Sequence, residues 1–252
     1  MSEQTRRLLT LLDLTSLNDN DDQAIMERLC ARAVTPFGRV AAVCTWPRFI
    51  GLCKDRLKGS GVRVATVANF PHGKDDPEAV LAAIRQAIVA GADEVDLVFP
   101  YKRWLAGERD PACALVSACK QVCGPEVLLK VILETGELAT PRHIAEASQD
   151  AIAAGADFLK TSTGKTSVGA TLTAATVMLA TIKESGKAVG FKAAGGIRTP
   201  ADALSYWQLA EGIMGQGWAV PATFRIGASA LLDALLEVLR HDSLSSPGNY
   251  PP

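Results

Sequence analysis

Lys160 and Lys192 each close a short apolar run, Ala156-Asp157-Phe158-Leu159-Lys160 and Ala188-Val189-Gly190-Phe191-Lys192. If the two runs are strands of one parallel sheet, both amines are carried to one place. Burial disfavours an ammonium ion and a second nearby cation disfavours it further, so both effects lower a lysine pKa. The resulting neutral amine is a nucleophile that can condense with a carbonyl carbon to a Schiff base without cofactor or metal. A lysine ending a strand also commonly snorkels to solvent, and that plain reading competes at each position taken alone. Lys130, inside Val127-Leu128-Leu129-Lys130-Val131-Ile132-Leu133, is a third lysine in a buried-strand setting. It could be catalytic, a charge neighbour, or the partner of a carboxylate such as Glu134. Lys54, Lys58, Lys74, Lys120, Lys183 and Lys187 sit in polar, helix-like or turn-like surroundings.

The elements that would position these lysines repeat along the chain. Apolar, β-branched runs at residues 11–14, 40–44, 62–67, 94–99, 127–133, 158–161, 188–192 and 224–227 read as eight strands. Between them lie stretches of helical period, for example residues 76–90, 111–123, 141–154, 171–185 and 200–209. Gly-Ala-Asp occurs at residues 91–93 and again at 155–157, each time as the glycine stop of a helix just before a strand. Nearly continuous apolar strands separated by helices fit a parallel (β/α)8 TIM barrel better than an open doubly wound sheet. No linker divides the 252 residues, so the expectation is one domain with an extra N-terminal helix and a flexible C-terminal tail at residues 243–252.

In such a barrel the carboxyl ends of the strands form the reactive face. Asp13, Cys44, Asn69, Asp96, Lys130, Lys160 and Lys192 therefore collect at one mouth although they come from different strands. Thr163-Gly164-Lys165, Gly195-Gly196 and Gly227-Ala228-Ser229 follow the sixth, seventh and eighth strands. Open backbone N–H groups in these turns would cradle a phosphate.

Composition removes other classes. Twenty-six basic against 27 acidic residues give a net charge of −1, with no basic stretch for nucleic acid. No apolar run approaches bilayer-spanning length, and the N-terminus makes a poor signal peptide, so a cytoplasmic address is expected. Six cysteines without a CxxC pair read as free thiols, with Cys44 packed in the core by default. Three scattered histidines offer no metal-ligand spacing, so neither metal nor cofactor is expected.

The runs Asp93-Glu94-Val95-Asp96-Leu97-Val98-Phe99-Pro100, Lys160-Thr161-Ser162-Thr163-Gly164-Lys165 and Gly190-Phe191-Lys192-Ala193-Ala194-Gly195-Gly196-Ile197-Arg198 resemble the deoxyribose-phosphate aldolase family. The similarity extends to Leu12-Asp13-Leu14-Thr15, Pro47-Arg48-Phe49, Asn69-Phe70-Pro71-His72-Gly73 and Gly227-Ala228-Ser229, nearly the whole chain. The resemblance implies a metal-independent class I aldolase that reversibly cleaves 2-deoxyribose 5-phosphate to acetaldehyde and glyceraldehyde 3-phosphate in deoxynucleotide catabolism. It implies Lys160 as the Schiff-base nucleophile, Lys192 as the cation that keeps Lys160 neutral, Asp96 as the proton-transferring carboxylate and Asp13 as a supporting one. Asp96 could instead serve only as an ion pair holding a lysine. By the same resemblance Thr163, Lys165, Gly195, Gly196, Gly227 and Ser229 contact the phosphate. Tyr250 in the tail would fold over the mouth and assist proton transfer, the partners would be phosphosugar and aldehyde substrates, and the assembly would be a homodimer. Ala193 stands where some members have proline, and Ala230 where a second serine can occur, which would remove one phosphate hydroxyl. Two rivals stand beside this reading: another Schiff-base sugar-phosphate lyase or transferase on the same barrel, and a barrel that binds phosphosugar without chemistry.

Overall fold

Eight short parallel strands alternate with helices in a computed structural model that describes residues 2–74 and 76–245. The strands are β1 Leu12–Thr15, β2 Ala42–Thr45, β3 Arg63–Ala68, β4 Glu94–Val98, β5 Leu128–Ile132, β6 Phe158–Lys160, β7 Gly190–Ala194 and β8 Phe224–Ala228. Each pairs with its sequence neighbours, and β1 closes on β8, giving a closed parallel (β/α)8 barrel. All eight expected strands are present. The outer ring includes α1 Ser2–Thr10, α2 Gln23–Arg32, α3 Ile50–Arg56, α4 Pro77–Val89, α5 Tyr101–Leu105, α6 Arg109–Cys123, α7 Thr135–Leu138, α8 Pro141–Ala153, α9 Leu172–Ser185, α10 Pro200–Met214 and α11 Leu231–Ser245. The extra N-terminal helix α1 packs on α10 and α11.

Local chemistry explains several starts. Asp76, Thr140 and Thr199 cap α4, α8 and α10 by accepting the backbone N–H of Ala79, His143 and Asp202, and each is followed by a proline at the first helical position. The repeated Gly-Ala-Asp serves one purpose twice. Asp93 accepts from Val64 N at 2.7 Å and from Lys54 Nζ at 2.8 and 2.9 Å. Asp157 accepts from Leu129 N at 2.8 Å and Lys120 Nζ at 2.7 Å. Each aspartate thus ties the start of the preceding strand to the preceding helix. Lys54 and Lys120 are structural staples rather than idle surface charges.

Alternation along the strands sends half of the side chains under the helices and half into the barrel. The outward set, including Val43, Val64, Val95, Leu129, Leu159 and Phe191, is fully buried in the main core. Inward, β2 and β3 contribute Ala42, Cys44, Ala65 and Val67, which form a separate apolar patch with Leu17, and at the exposed start of β3 Arg63. The other strands direct charge inward.

Most boundaries shift by a residue or two from expectation, and four differences bear on the architecture. β7 begins at Gly190 and runs to Ala194, not residues 188–192, because Gly190 N starts the pairing by donating to Asp157 O. Lys192 therefore lies in the middle of its strand, in register with Lys160. α10 continues to Met214, five residues beyond residue 209. A two-residue antiparallel hairpin, Val34–Thr35 with Gly38–Arg39, precedes β2 without a clear apolar signal. Finally, α11 extends to Ser245, so the first three residues of the expected tail are helical; the rest of it, with Tyr250, lies outside the described residues.

Candidate active site

Strand register sets the charges side by side. Asp96 of β4 pairs with Lys130 of β5, Lys160 of β6 with Lys192 of β7, and Lys192 with Arg225 of β8. Asp13 of β1 pairs with Gly227 of β8. A β-carbon on Gly227 would lie 3.0 Å from Lys192 Cε and 3.0 Å from Ala194 Cβ, so glycine there leaves the path that the Lys192 chain needs.

The result is a buried column of ion pairs. Asp96 Oδ2 accepts from both Lys160 Nζ and Lys192 Nζ at 2.8 Å, while its Oδ1 accepts from Lys130 Nζ at 2.8 Å. Lys192 Nζ also donates to Asp13 Oδ2 at 2.5 Å, and Asp13 Oδ1 accepts from Arg225 at 2.6 Å. Below them Glu94 takes Lys130 Nζ at 2.5 Å and the Arg225 guanidinium at 2.8 and 3.2 Å. Lys130 stands 3.9 Å from Asp13. Glu134, one of the carboxylates that could have paired with Lys130, bonds the Thr163 hydroxyl instead.

Four basic groups, Lys130, Lys160, Lys192 and Arg225, face three carboxylates, Asp13, Glu94 and Asp96, so one positive charge is in excess. Arg63 reaches Glu94 from the exposed end at 3.8 Å and adds to the excess. A buried, uncompensated charge is costly, and the group with the weakest compensation holds its proton least firmly. That group is Lys160. Among these carboxylates it has only Asp96, which it shares with Lys192, and burial together with the Lys192 ammonium outweighs the pull of Asp96 to lower its pKa. Burial would lower Lys192 too, yet Asp13 and Asp96 overcome it and raise its pKa. Lys130 is likewise raised by Asp96 and Glu94 against the cost of burial. Burial alone would lift Asp13 and Asp96, but Lys192 and Arg225 pull the first below the carboxylate range, and Lys130, Lys160 and Lys192 the second.

Access distinguishes the lysines as well. The Lys160 side chain is 4 % exposed, whereas Lys130 and Lys192 are at 0 %. Lys160 forms the floor of a pocket of about 240 Å³ whose walls are the loops after β1, β6, β7 and β8, among them Gly164, Lys165, Gly195, Gly196, Gly227 and Ser229. That volume is under the roughly 300–1,000 Å³ of drug-sized sites and suits a small substrate. Among the described residues the N–H groups of Gly164, Gly195, Gly196 and Ser229, all lining the pocket, donate to nothing, which leaves these backbone donors open. Exposed Arg198 lines the same pocket.

The structure thus brings Asp13, Asp96, Lys130, Lys160 and Lys192 together, with the glycine turns around them. Three other residues fall differently. Cys44 lies in the inner apolar patch, where burial and then Asp96 push its thiol up. Asn69 turns to the Val98 carbonyl at 3.0 Å and joins no ion pair. The Thr163 hydroxyl donates to Glu134 Oε2 at 2.5 Å and accepts from Lys165 N at 3.0 Å, so its proton is already committed. Lys165 Nζ reaches across the mouth to the Leu17 carbonyl at 2.7 Å. Ala193 packs in the outer core, away from the site. Glu94 and Arg225 were not singled out from the sequence. The signal for Glu94 was its i, i+2 spacing from Asp96, which puts both carboxylates on one strand face. Among the described residues no group of three or more His, Cys, Asp or Glu converges to hold a metal ion.

A family model described as DeoC/LacD family aldolase matches residues 7–236. A solved structure from Toxoplasma gondii ME49, provisionally described as a deoxyribose-phosphate aldolase, superposes with a TM-score of 0.87 at 26 % identity, covering 95 % of this chain and 97 % of that one. One from Coccidioides immitis with the same provisional description gives 0.83 at 27 % identity over 93 % and 86 %. A tetrameric deoxyribose phosphate aldolase from Aeropyrum pernix gives 0.76 at 24 % identity over 96 % of each chain, a likeness of fold.

Proposed function

Because the chain belongs to the DeoC/LacD family of aldolases, we propose that it is a class I aldolase that reversibly cleaves 2-deoxy-D-ribose 5-phosphate to acetaldehyde and D-glyceraldehyde 3-phosphate, acting in deoxynucleotide and deoxynucleoside catabolism. The observation that carries this reading is that Lys160 is the lysine of the buried cluster with a lowered pKa and the one that reaches the pocket.

In this mechanism the neutral Lys160 amine attacks C1 of the open-chain sugar, and the carbinolamine loses water to an iminium. The iminium restores a positive charge 2.8 Å from Asp96, whose carboxylate is held ionised and in place to stabilise it. Acetaldehyde retains C1 and C2, so the bond that breaks is C2–C3. The C3 hydroxyl loses its proton, through a water to Asp96, as the C2–C3 electron pair flows into the iminium. Glyceraldehyde 3-phosphate leaves, and the enamine takes a proton at C2. Water then releases acetaldehyde and the Lys160 amine. Lys192, charged and bound to both Asp13 and Asp96, keeps Lys160 neutral and donates protons as the water leaves.

The phosphate falls to the open N–H groups of Gly164, Gly195, Gly196 and Ser229, with Gly227 and the Lys165 ammonium beside them. Thr163 shapes this cradle from behind, since its hydroxyl is held by Glu134. Anchoring the distal phosphate fixes C2–C3 over Lys160, an effect of orientation. The reading includes a cytoplasmic homodimer and Tyr250 as an aid to proton transfer. Incubation with 2-deoxyribose 5-phosphate should release acetaldehyde and glyceraldehyde 3-phosphate in equal amounts. Tight binding of the phosphosugar without cleavage would favour the non-catalytic barrel instead.

A further inference from the structure

Glu134 stands at the end of β5 in a left-handed backbone conformation, φ 54° and ψ 62°, and is fully buried. None of the network lysines bonds it. It is instead turned to the loop after β6: its carboxylate accepts from the Thr163 hydroxyl at 2.5 Å, from Thr163 N at 3.3 Å and from the Thr166 hydroxyl at 3.3 Å. Burial raises its pKa against the pull of those donors and, more weakly, of the Lys160 charge.

The same loop is gripped on both flanks. On the β5 side Val168 packs so closely on Gly136 that an added β-carbon would lie 2.7 Å from Val168 Cβ. On the β7 side Ala170 N donates to Gly195 O at 3.0 Å, and Gly169 lies against Gly195. Between these apolar and backbone grips, Glu134 is the polar anchor that faces the turn itself. It fixes Thr163, whose hydroxyl oxygen in turn accepts Lys165 N. Gly164 N–H and the Lys165 side chain are left to face the pocket.

We propose that Glu134 is a positioning residue that sets the Thr163-Gly164-Lys165 turn in the shape that receives a phosphate, so that it governs preference for phosphorylated over unphosphorylated sugars. The inference rests on the phosphate cradle of the proposed function. Glu134 touches no reacting atom; it acts through Thr163.

Glu134→Ala and Glu134→Gln test this, with Thr163→Val breaking the same contact from the other side. The amide oxygen of glutamine still accepts from Thr163, so Glu134→Gln should stay close to the parent. Glu134→Ala should raise KM for 2-deoxyribose 5-phosphate about tenfold to a hundredfold, as loss of hydrogen bonds to an ionisable group implies. Activity on 2-deoxyribose should fall far less than activity on the phosphorylated sugar, and calorimetric affinity for inorganic phosphate should fall in parallel with the KM effect. Thr163→Val should reproduce the KM effect, and the double variant should be no worse than either single one. Equal losses on both sugars, or a Glu134→Ala enzyme that binds inorganic phosphate like the parent, would overturn the inference and leave the aldolase reading standing. A parent that distinguishes neither sugar and ignores inorganic phosphate would overturn the cradle and the inference together.

Discussion

Replacing Lys192 by methionine isolates the electrostatic core of the site. Both Lys192 Nζ and Lys160 Nζ lie 2.8 Å from the same Asp96 oxygen, so they are no more than twice that, about 5.6 Å, apart. At an effective dielectric near 20 two unit charges at that distance repel by ~3 kcal/mol, which is about a hundredfold in the population of neutral Lys160. Without Lys192 the remaining buried cations, Lys130, Lys160 and Arg225, match the three carboxylates, and Lys160 gains nothing by losing its proton. The fold should survive, because Asp13 keeps Arg225 at 2.6 Å and Asp96 keeps Lys130 and Lys160 at 2.8 Å.

The sign follows directly: the substitution raises the Lys160 pKa, so reactive amine appears at higher pH. Cleavage of 2-deoxyribose 5-phosphate by Lys192→Met should fall about a hundredfold in kcat/KM at pH 7, and the deficit should narrow steadily as pH rises toward 10. A loss of equal size at every pH would mean that Lys192 acts only as a proton donor or a structural tie. An unchanged pH profile with full activity would refute the charge-balance argument outright.

Gly227→Ala introduces a β-carbon 3.0 Å from Lys192 Cε and should cut activity while circular dichroism stays native; an enzyme as active as the parent would show that the Lys192 path is not constrained there. Arg225→Met leaves Glu94 and Asp13 short of a buried partner and should destabilise by about 3–5 kcal/mol in urea unfolding, against less than 1 kcal/mol if solvent reaches those carboxylates. Asp13 and Asp96 lie below their unfolded value of about 3.9, so their stabilisation is complete above that pH and is lost as pH falls beneath it. The urea midpoint should accordingly hold from pH 7 to about 5 and drop toward pH 3; a midpoint that rises on acidification contradicts the assignment. Truncation after Pro247 removes Tyr250, and a slower exchange of acetaldehyde methyl protons is expected; exchange at the parent rate would assign Tyr250 no part in proton transfer.

Much of the architecture was legible because most strands are short apolar runs and several helices begin on a capped proline, as α4, α8 and α10 do, or end on a glycine, as α6, α9 and α10 do. Asp96, Lys160 and Lys192 were legible for the same reason: a charge in an otherwise apolar strand must meet another charge. Depth was not legible. Lys192 read as a strand end, yet pairing with β8 extends two residues past it, and only the structure shows that its side chain is fully buried beside Lys160. Lys130 could not be assigned among its alternatives, since its partners Glu94 and Asp96 come from a neighbouring strand and Glu134, near in sequence, turns away. Arg225 was missed because a lone arginine in a strand reads as easily as an edge residue as the base of a buried column. Thr163 illustrates the limit of motif reasoning, for the hydroxyl expected to meet phosphate is held by Glu134, a bond that depends on the left-handed turn at residue 134.

The central claim is that Lys160 is the reactive amine. Reducing the protein with borohydride in the presence of acetaldehyde and mapping the adduct by peptide mass spectrometry addresses it directly. An ethyl group on Lys160, absent when Lys160→Leu is treated identically, is the expected result. An adduct on Lys192 or Lys130 instead, or none on the folded protein, would contradict it.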